Sequence, residues 1–171
     1  MGDVGTRNRY YCLRVENMKQ FLVTAVIVLL STPFYAAAQD RFIIKLTLPT
    51  GQTVVVAEGD FEARSIGSFS VRLYEAAPTS DETTFFTSGL IHFRDGVLEK
   101  VLLTDIDGDH QPEIVVIVRS VGTGDYLSAH AFLFTKDKLF FCAVVEGLPP
   151  DTDPITALQK SKTEGRWDCE R

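Results

Sequence analysis

Apolar side chains recur along this chain with a period of two, in short runs about ten residues apart that are closed by Gly, Pro or Asp. Such spacing predicts antiparallel strands rather than helices. Residues 68–75 set Phe69, Val71 and Leu73 against Ser68, Ser70 and Arg72, the alternation of a strand with one buried face. Residues 42–48 and 53–57 flank Pro49-Thr50-Gly51-Gln52 and predict a first hairpin. Residues 83–93 and 97–104 are joined by Arg94-Asp95-Gly96, whose Asp-Gly pair predicts a second. Residues 113–120, 126–135 and 139–145 complete a series of about eight strands, and residues 154–162 predict one short helix. The fold class expected is all-β, an antiparallel β-sandwich or a small barrel with little helix, because each sheet must bury one face.

The start of the chain follows a different pattern. Residues 21–30 are almost wholly apolar; Met18-Lys19 precede them, and Ser31, Thr32, Pro33 and the small-residue spacing Ala36-x-Ala38 follow. A basic start, an apolar run of this length and small residues at its end describe an export signal over residues 1–38, cleaved before Gln39, with Met18 as the true start. An uncleaved membrane anchor is the competing reading, which Pro33 and the small residues disfavour. Cleavage would leave a single domain over residues 39–171, long enough for one core, in the periplasm, with no membrane attachment.

The formal net charge is -6. Four basic residues (Arg7, Arg9, Arg14, Lys19) but only two acidic ones (Asp3, Glu16) lie before Gln39, so the remainder is more acidic still. An acidic domain is a poor partner for nucleic acid or anionic lipid and a good one for a cationic protein. An exposed strand edge would also admit a homodimer. Of the three cysteines, Cys12 falls in the export segment. Cys142 and Cys169 remain, and an oxidising compartment predicts that they pair, which loop entropy puts at about 3.5 kcal/mol. A zinc site lacks further Cys or His at ligand spacing.

Two constellations carry chemistry, and both adjoin the strand at residues 113–120. In the turn before it, Asp105, Asp107, Asp109 and Glu113 stand at positions one, three, five and nine, the spacing that wraps oxygens around a hard cation such as Ca2+. This resembles the calcium loops of the FG-GAP repeats of integrin-type propellers, although His110 stands where those loops carry glycine, at a position needing positive φ. Position twelve is Val116, so it is not an EF-hand. The plainer reading is a tight turn whose aspartates accept their own backbone amides, with no cofactor. In the loop after the strand, Gly122 and Gly124 flank Thr123 and predict a sharp turn that pushes Thr123 and Tyr126 outward. Tyrosine is an efficient interface anchor, being large, rigid and polar at its tip.

Residues 119–132, RSVGTGDYLSAHAF, resemble the motif of the periplasmic inhibitors of invertebrate-type lysozyme, and Ile66-Gly67-Ser68-Phe69-Ser70-Val71-Arg72-Leu73-Tyr74 resembles an early strand of that family. The family's loop motif is Ser-Gly-x-Tyr, inserted into the lysozyme cleft so that the Ser and Tyr side chains meet the catalytic carboxylates. The resemblance implies that Thr123 and Tyr126 take these roles, with Gly124 and Asp125 between them and Ser120 and Gly122 flanking. Thr123 departs from the usual Ser, keeping the hydroxyl and adding a methyl. The implied partner is a lysozyme, most naturally of invertebrate type.

An enzyme is not expected, because the three histidines assemble no nucleophile, base and orienting group. His92 lies in an apolar run; Ser128 and His130 share one strand face with parallel side chains. Glu58, Asp60 and Glu62 read as a solvated connection between strands.

Overall fold

Each predicted strand forms, and the eight among the described residues divide into two four-stranded antiparallel sheets. The structure is a computed structural model and describes residues 41–169. The expected export segment, residues 1–38 with a start at Met18 and cleavage before Gln39, lies outside the described residues. Among those described, no helix is long and apolar enough to cross a membrane.

The first sheet is the meander β1 (Ile43–Thr47), β2 (Thr53–Glu58), β3 (Ile66–Tyr74) and β4 (Phe86–Asp95). The second is the meander β5 (Val97–Thr104), β6 (Glu113–Arg119), β7 (Leu127–Phe134) and β8 (Leu139–Leu148). The architecture is therefore a sandwich, not a closed barrel. Val54, Val56, Phe69, Val71 and Leu73 face Leu98, Ile114, Val116, Val118, Phe132 and Phe134 across its middle. The alternation read along β3 is the alternation observed, with Ser68, Ser70 and Arg72 on the outer face.

One hairpin expectation is overturned. β4 and β5 do not pair; Asp95 and Gly96 carry the chain from one sheet to the other. β4 bonds to β3, whereas Val97 starts the pairing of β5 with β6 opposite Arg119. Gly96 has φ 134, and a Cβ there would stand 2.1 Å from the Arg119 carbonyl oxygen, so this corner closes on a residue without a side chain. The Asp-Gly pair marks a bend between two strands that belong to different sheets rather than a hairpin turn. Residues 83–85 also fall outside β4, since the Thr84 amide donates to Asp81 in a turn.

The helix α1 (Pro154–Thr163) begins at Asp153, whose carboxylate accepts from the Ile155 and Thr156 amides, with Pro154 in the first turn. It covers the outer face of the second sheet, packing Leu158 and Ile155 with Trp167 against Val115, Ile117, Leu127, Ala129, Ala131 and Ala143. The alanines let the helix approach. β6 is thus buried on both faces, which is why residues 114–118 are an unbroken apolar run. The Cys142–Cys169 disulfide forms, and the Asp168 amide donates to the Cys142 carbonyl, so the tail after α1 is tied to β8.

Candidate functional site

The loop between β6 and β7 holds Ser120, Val121, Gly122, Thr123, Gly124, Asp125 and Tyr126. Its base is closed by the Ser120 amide, which donates to the Tyr126 carbonyl at 2.8 Å. Inside, the Gly124 and Asp125 amides both donate to the Gly122 carbonyl, and the Gly122 amide donates to Ser120 Oγ at 3.3 Å. The left-handed residue is Asp125, with φ 47; Gly122 and Gly124 lie outside that region, so positive φ is not the reason for either glycine. Gly124 is needed for close approach instead, because a Cβ there would stand 2.3 Å from the Tyr126 ring. That ring lies over the Gly124 backbone and stays 52% exposed, while Thr123 is exposed beside it. A hydroxyl and a phenol are therefore both solvent-facing on one short, internally bonded loop.

Two residues that hold this loop were not apparent from the sequence. Arg119, the last residue of β6, donates Nη1 to the Asp125 carbonyl at 3.1 Å and pairs bidentately with Glu99 through Nε and Nη2. Glu99 sits at the bulge of β5, where the register shifts between Leu98 and Lys100. The bulge turns its carboxylate toward the stem of the loop. Opposite charges on neighbouring strands are the only sequence signal for this brace. Val121, 59% exposed, adds an apolar surface at the same tip.

The acidic turn lies at the other end of β6. Asp105, Asp107 and Asp109 bring carboxylate oxygens within 4.8 Å of one another. Each also accepts from the turn's own backbone: Asp105 from Gly108 and His110, Asp107 from Asp109, Asp109 from Gln111. His110 takes φ 69, the left-handed conformation expected where glycine is usual. Lys162 of α1 places Nζ 2.8 Å from Asp107 Oδ2, and that hydrogen bond holds the Asp107 carboxyl below its usual range. Glu113 is fully buried; Oε2 accepts the Ile106 amide at 2.7 Å and Oε1 has no hydrogen-bond partner. Burial pushes its carboxyl up, the Ile106 amide opposes this, and the three aspartates add to the rise. The turn is thus an internally bonded acidic cluster with the composition of a hard-cation site.

His130, His92, Glu58, Arg94 and Glu62 are tied into the packing and hydrogen bonding of the fold. His130 is 6% exposed, edge-on to Phe69, and desolvation with the neighbouring His92 lowers its pKa to about 4. His92 packs on Phe141 at 4.5 Å between ring centroids. Glu58 departs from the solvated role expected of it. It is 4% exposed and 4.0 Å from the buried Arg94, and it accepts from the Phe42 and Leu98 amides. Arg94 donates to the carbonyls of Ala63, Arg64, Ser68 and Gly96, so the pair locks the sheet-switching corner. Glu62 accepts from the Ser68 amide and hydroxyl, bonds that lower its pKa.

The family described as periplasmic lysozyme inhibitor of I-type lysozyme matches residues 40–162. The crystal structure of such an inhibitor from Aeromonas hydrophila superposes with a TM-score of 0.66 at 45% identity, covering 68% of this chain and 98% of that one. The A. hydrophila inhibitor in complex with Meretrix lusoria lysozyme gives 0.65 at 45% identity, covering 69% and 95%. No curated protein matches.

Proposed function

The chain belongs to the family of periplasmic inhibitors of I-type lysozyme, and from that premise we propose that it blocks an I-type lysozyme by inserting the loop of Thr123, Gly124, Asp125 and Tyr126 into the active-site cleft. The observation that carries the reading is the loop's preorganisation: its base is closed, its stem is braced by Arg119, and its Tyr126 ring is seated on Gly124 yet half exposed. A glycosidase cleft presents two carboxyl groups about 5 to 10 Å apart with a solvated groove between them. The Thr123 hydroxyl and Tyr126 phenol donate to those carboxyls, and the loop fills the groove as an unreactive ligand. Little conformational entropy is lost, since the loop is already folded.

Charge favours the encounter. The acidic body steers toward a cationic enzyme, while the donors at the tip rather than its net charge meet the catalytic acids. The family's description, together with the complex of the A. hydrophila inhibitor with Meretrix lusoria lysozyme, supports an I-type partner for this chain as well. The family is periplasmic, and in this reading residues 1–38 serve as the export signal and the exported protein begins at Gln39. No step of the inhibition is routed through a cofactor.

Titration of the purified protein into I-type, chicken and goose lysozymes, read as cell-wall lysis, tests the proposal. Stoichiometric loss of I-type activity is expected, together with at least a hundredfold weaker inhibition by Thr123→Ala/Tyr126→Ala at unchanged melting temperature. Full inhibition by that double variant would refute the role of the loop while leaving family membership intact.

A further inference from the structure

Phe61 combines two features that the fold does not require of it. It lies in the loop between β2 and β3, residues 59–65, with φ 61 and a relative exposure of 103%. A left-handed turn position is ordinarily filled by Gly, Asn or Asp, since a bulky side chain is strained there. An exposed apolar side chain alone is ordinary, but here the strain is carried for a ring that gains nothing from burial. Backbone strain of this kind collects at ligand-contacting positions.

The backbone that follows fixes where the ring is presented. Four successive carbonyls each accept a hydrogen bond: Glu62 from Arg41 Nη2 at 2.7 Å, Ala63 and Arg64 from the buried Arg94 at 3.1 and 2.6 Å, and Ser65 from the Gly96 amide at 2.8 Å. The Gly59 amide closes the base of the loop on the Ser68 carbonyl at 3.0 Å. The loop takes its stiffness from these bonds rather than from a covering helix, so Phe61 is already ordered for a partner.

Gly96 sets this loop beside the one that carries Thr123 and Tyr126. Its amide bonds Ser65, the last residue of one loop, while a Cβ on it would stand 2.1 Å from the Arg119 carbonyl oxygen and 2.9 Å from the Ser120 nitrogen, at the root of the other. The two loops therefore spring from either side of one residue, at the same end of the sandwich. A standard inhibitor interface covers about 800 Å² on each partner and draws on about 20–30 residues, whereas the β6–β7 loop has seven, 120–126. Inserting that loop in a cleft brings the surface around its root onto the rim, and Phe61 stands on that surface. Asp60, exposed beside it, adds negative charge toward a cationic enzyme.

We propose that residues 59–65 form a second lysozyme-contacting element, with Phe61 as an apolar anchor on the rim of the cleft that the loop of Thr123 and Tyr126 enters; this rests on the loop-insertion reading above. Aromatic side chains are among the commonest interface anchors, and the ring excludes water at the edge of the contact, which lengthens the lifetime of the complex.

Surface plasmon resonance on an immobilised I-type lysozyme compares the wild type with Phe61→Asn, Phe85→Asn and Thr123→Ala/Tyr126→Ala, and the melting temperature of each is measured. Asn suits a left-handed position, so Phe61→Asn is expected to melt at or above the wild-type temperature while binding about tenfold more weakly, the loss falling in the dissociation rate. Phe85→Asn removes a ring that is also exposed but lies at the other end of β3, where the Glu75 amide bonds the Phe85 carbonyl, and is expected to bind as the wild type does. Wild-type binding that the Thr123 and Tyr126 double variant weakens, but that Phe61→Asn leaves within about twofold, overturns this proposal alone. An equal loss in Phe85→Asn overturns it too, because the effect would then belong to any exposed ring. A wild-type protein that binds no I-type lysozyme overturns the loop-insertion reading along with it.

Discussion

Acidification should unlock the sandwich at His130. The ring is packed edge-on to Phe69 at 5.2 Å between centroids, beside His92 and Phe141. Its pKa falls from 6.5 to about 4, first through desolvation and then through His92. A folded-state value below the unfolded one means that stability is complete above pH 6.5. It is lost as the pH falls toward 4, because the unfolded chain takes up a proton that the folded chain refuses. The whole effect is about 3.5 kcal/mol, of which about 2.5 kcal/mol is gone by pH 4.5. For a domain of this size that lowers the melting temperature by roughly 10 °C.

Other groups titrate nearby, and their signs differ. Glu62 and Asp107, with lowered values, lose stabilisation only as the pH drops through the carboxylate range, whereas Glu113, raised, works in the opposite direction. The comparison with His130→Leu cancels these contributions. Urea unfolding of both proteins at pH 7, 6, 5 and 4.5 gives the difference directly, and any packing cost of the leucine is a constant offset. The gap between the two should move by about 2.5 kcal/mol in favour of His130→Leu on going from pH 7 to 4.5. Parallel pH curves would show that His130 is protonated in the fold and that the desolvation argument is wrong.

Two further outcomes follow from the loop and the tail. Gly124→Ala should weaken lysozyme inhibition at least tenfold with a melting shift under about 2 °C, since the added Cβ evicts the Tyr126 ring from an exposed loop without touching the core; inhibition assays and thermal unfolding of the same sample decide it, and unchanged inhibition would mean that the seating of the ring is irrelevant. Breaking Cys142–Cys169, by reduction or by Cys142→Ala/Cys169→Ala, should cost about 3.5 kcal/mol and expose Trp167, seen as a red shift of its fluorescence; denaturant curves that coincide with the oxidised protein would refute it.

Local chemistry was legible in the sequence wherever it depended on neighbours along the chain. The alternation over β3, the first hairpin, the short helix and the aspartate turn are each decided within a dozen residues. His110 at positive φ could be anticipated because a turn of that length needs a left-handed residue there. What escaped depends on contacts across the fold. Arg94-Asp95-Gly96 carries a hairpin signal, yet the Arg119 carbonyl, from a strand not adjacent in sequence, fits against Gly96 and sends the chain to the other sheet. Glu58 looked solvated beside Asp60 and Glu62, and only the arrival of Arg94 from β4 explains its burial. The loop motif made Thr123 and Tyr126 candidates, but gave no sign of the Glu99 and Arg119 pair, which arises from a bulge that the β5 sequence does not announce.

The position of β6 gives the proposed role of the loop as a rigid wedge its physical basis. A surface loop gains stiffness from its stems, and a stem is stiff when it cannot move without opening a core. β6 lies between the sandwich interior on one face and α1 on the other, with Ile114, Val115, Val116 and Val118 essentially without solvent contact. Displacing the stem would open both clusters at once. β7, the other stem, shares this condition through Ala129, Ala131 and Phe132. The first sheet has no helix on its outer face among the described residues, and Ile43, Ile91 and Phe93 remain exposed there. A loop hung from that sheet would rest on strands held from one side only. Placing α1 and the disulfide behind the second sheet therefore stiffens both stems of the loop, and under the proposed mechanism it removes freedom that binding would otherwise have to freeze out.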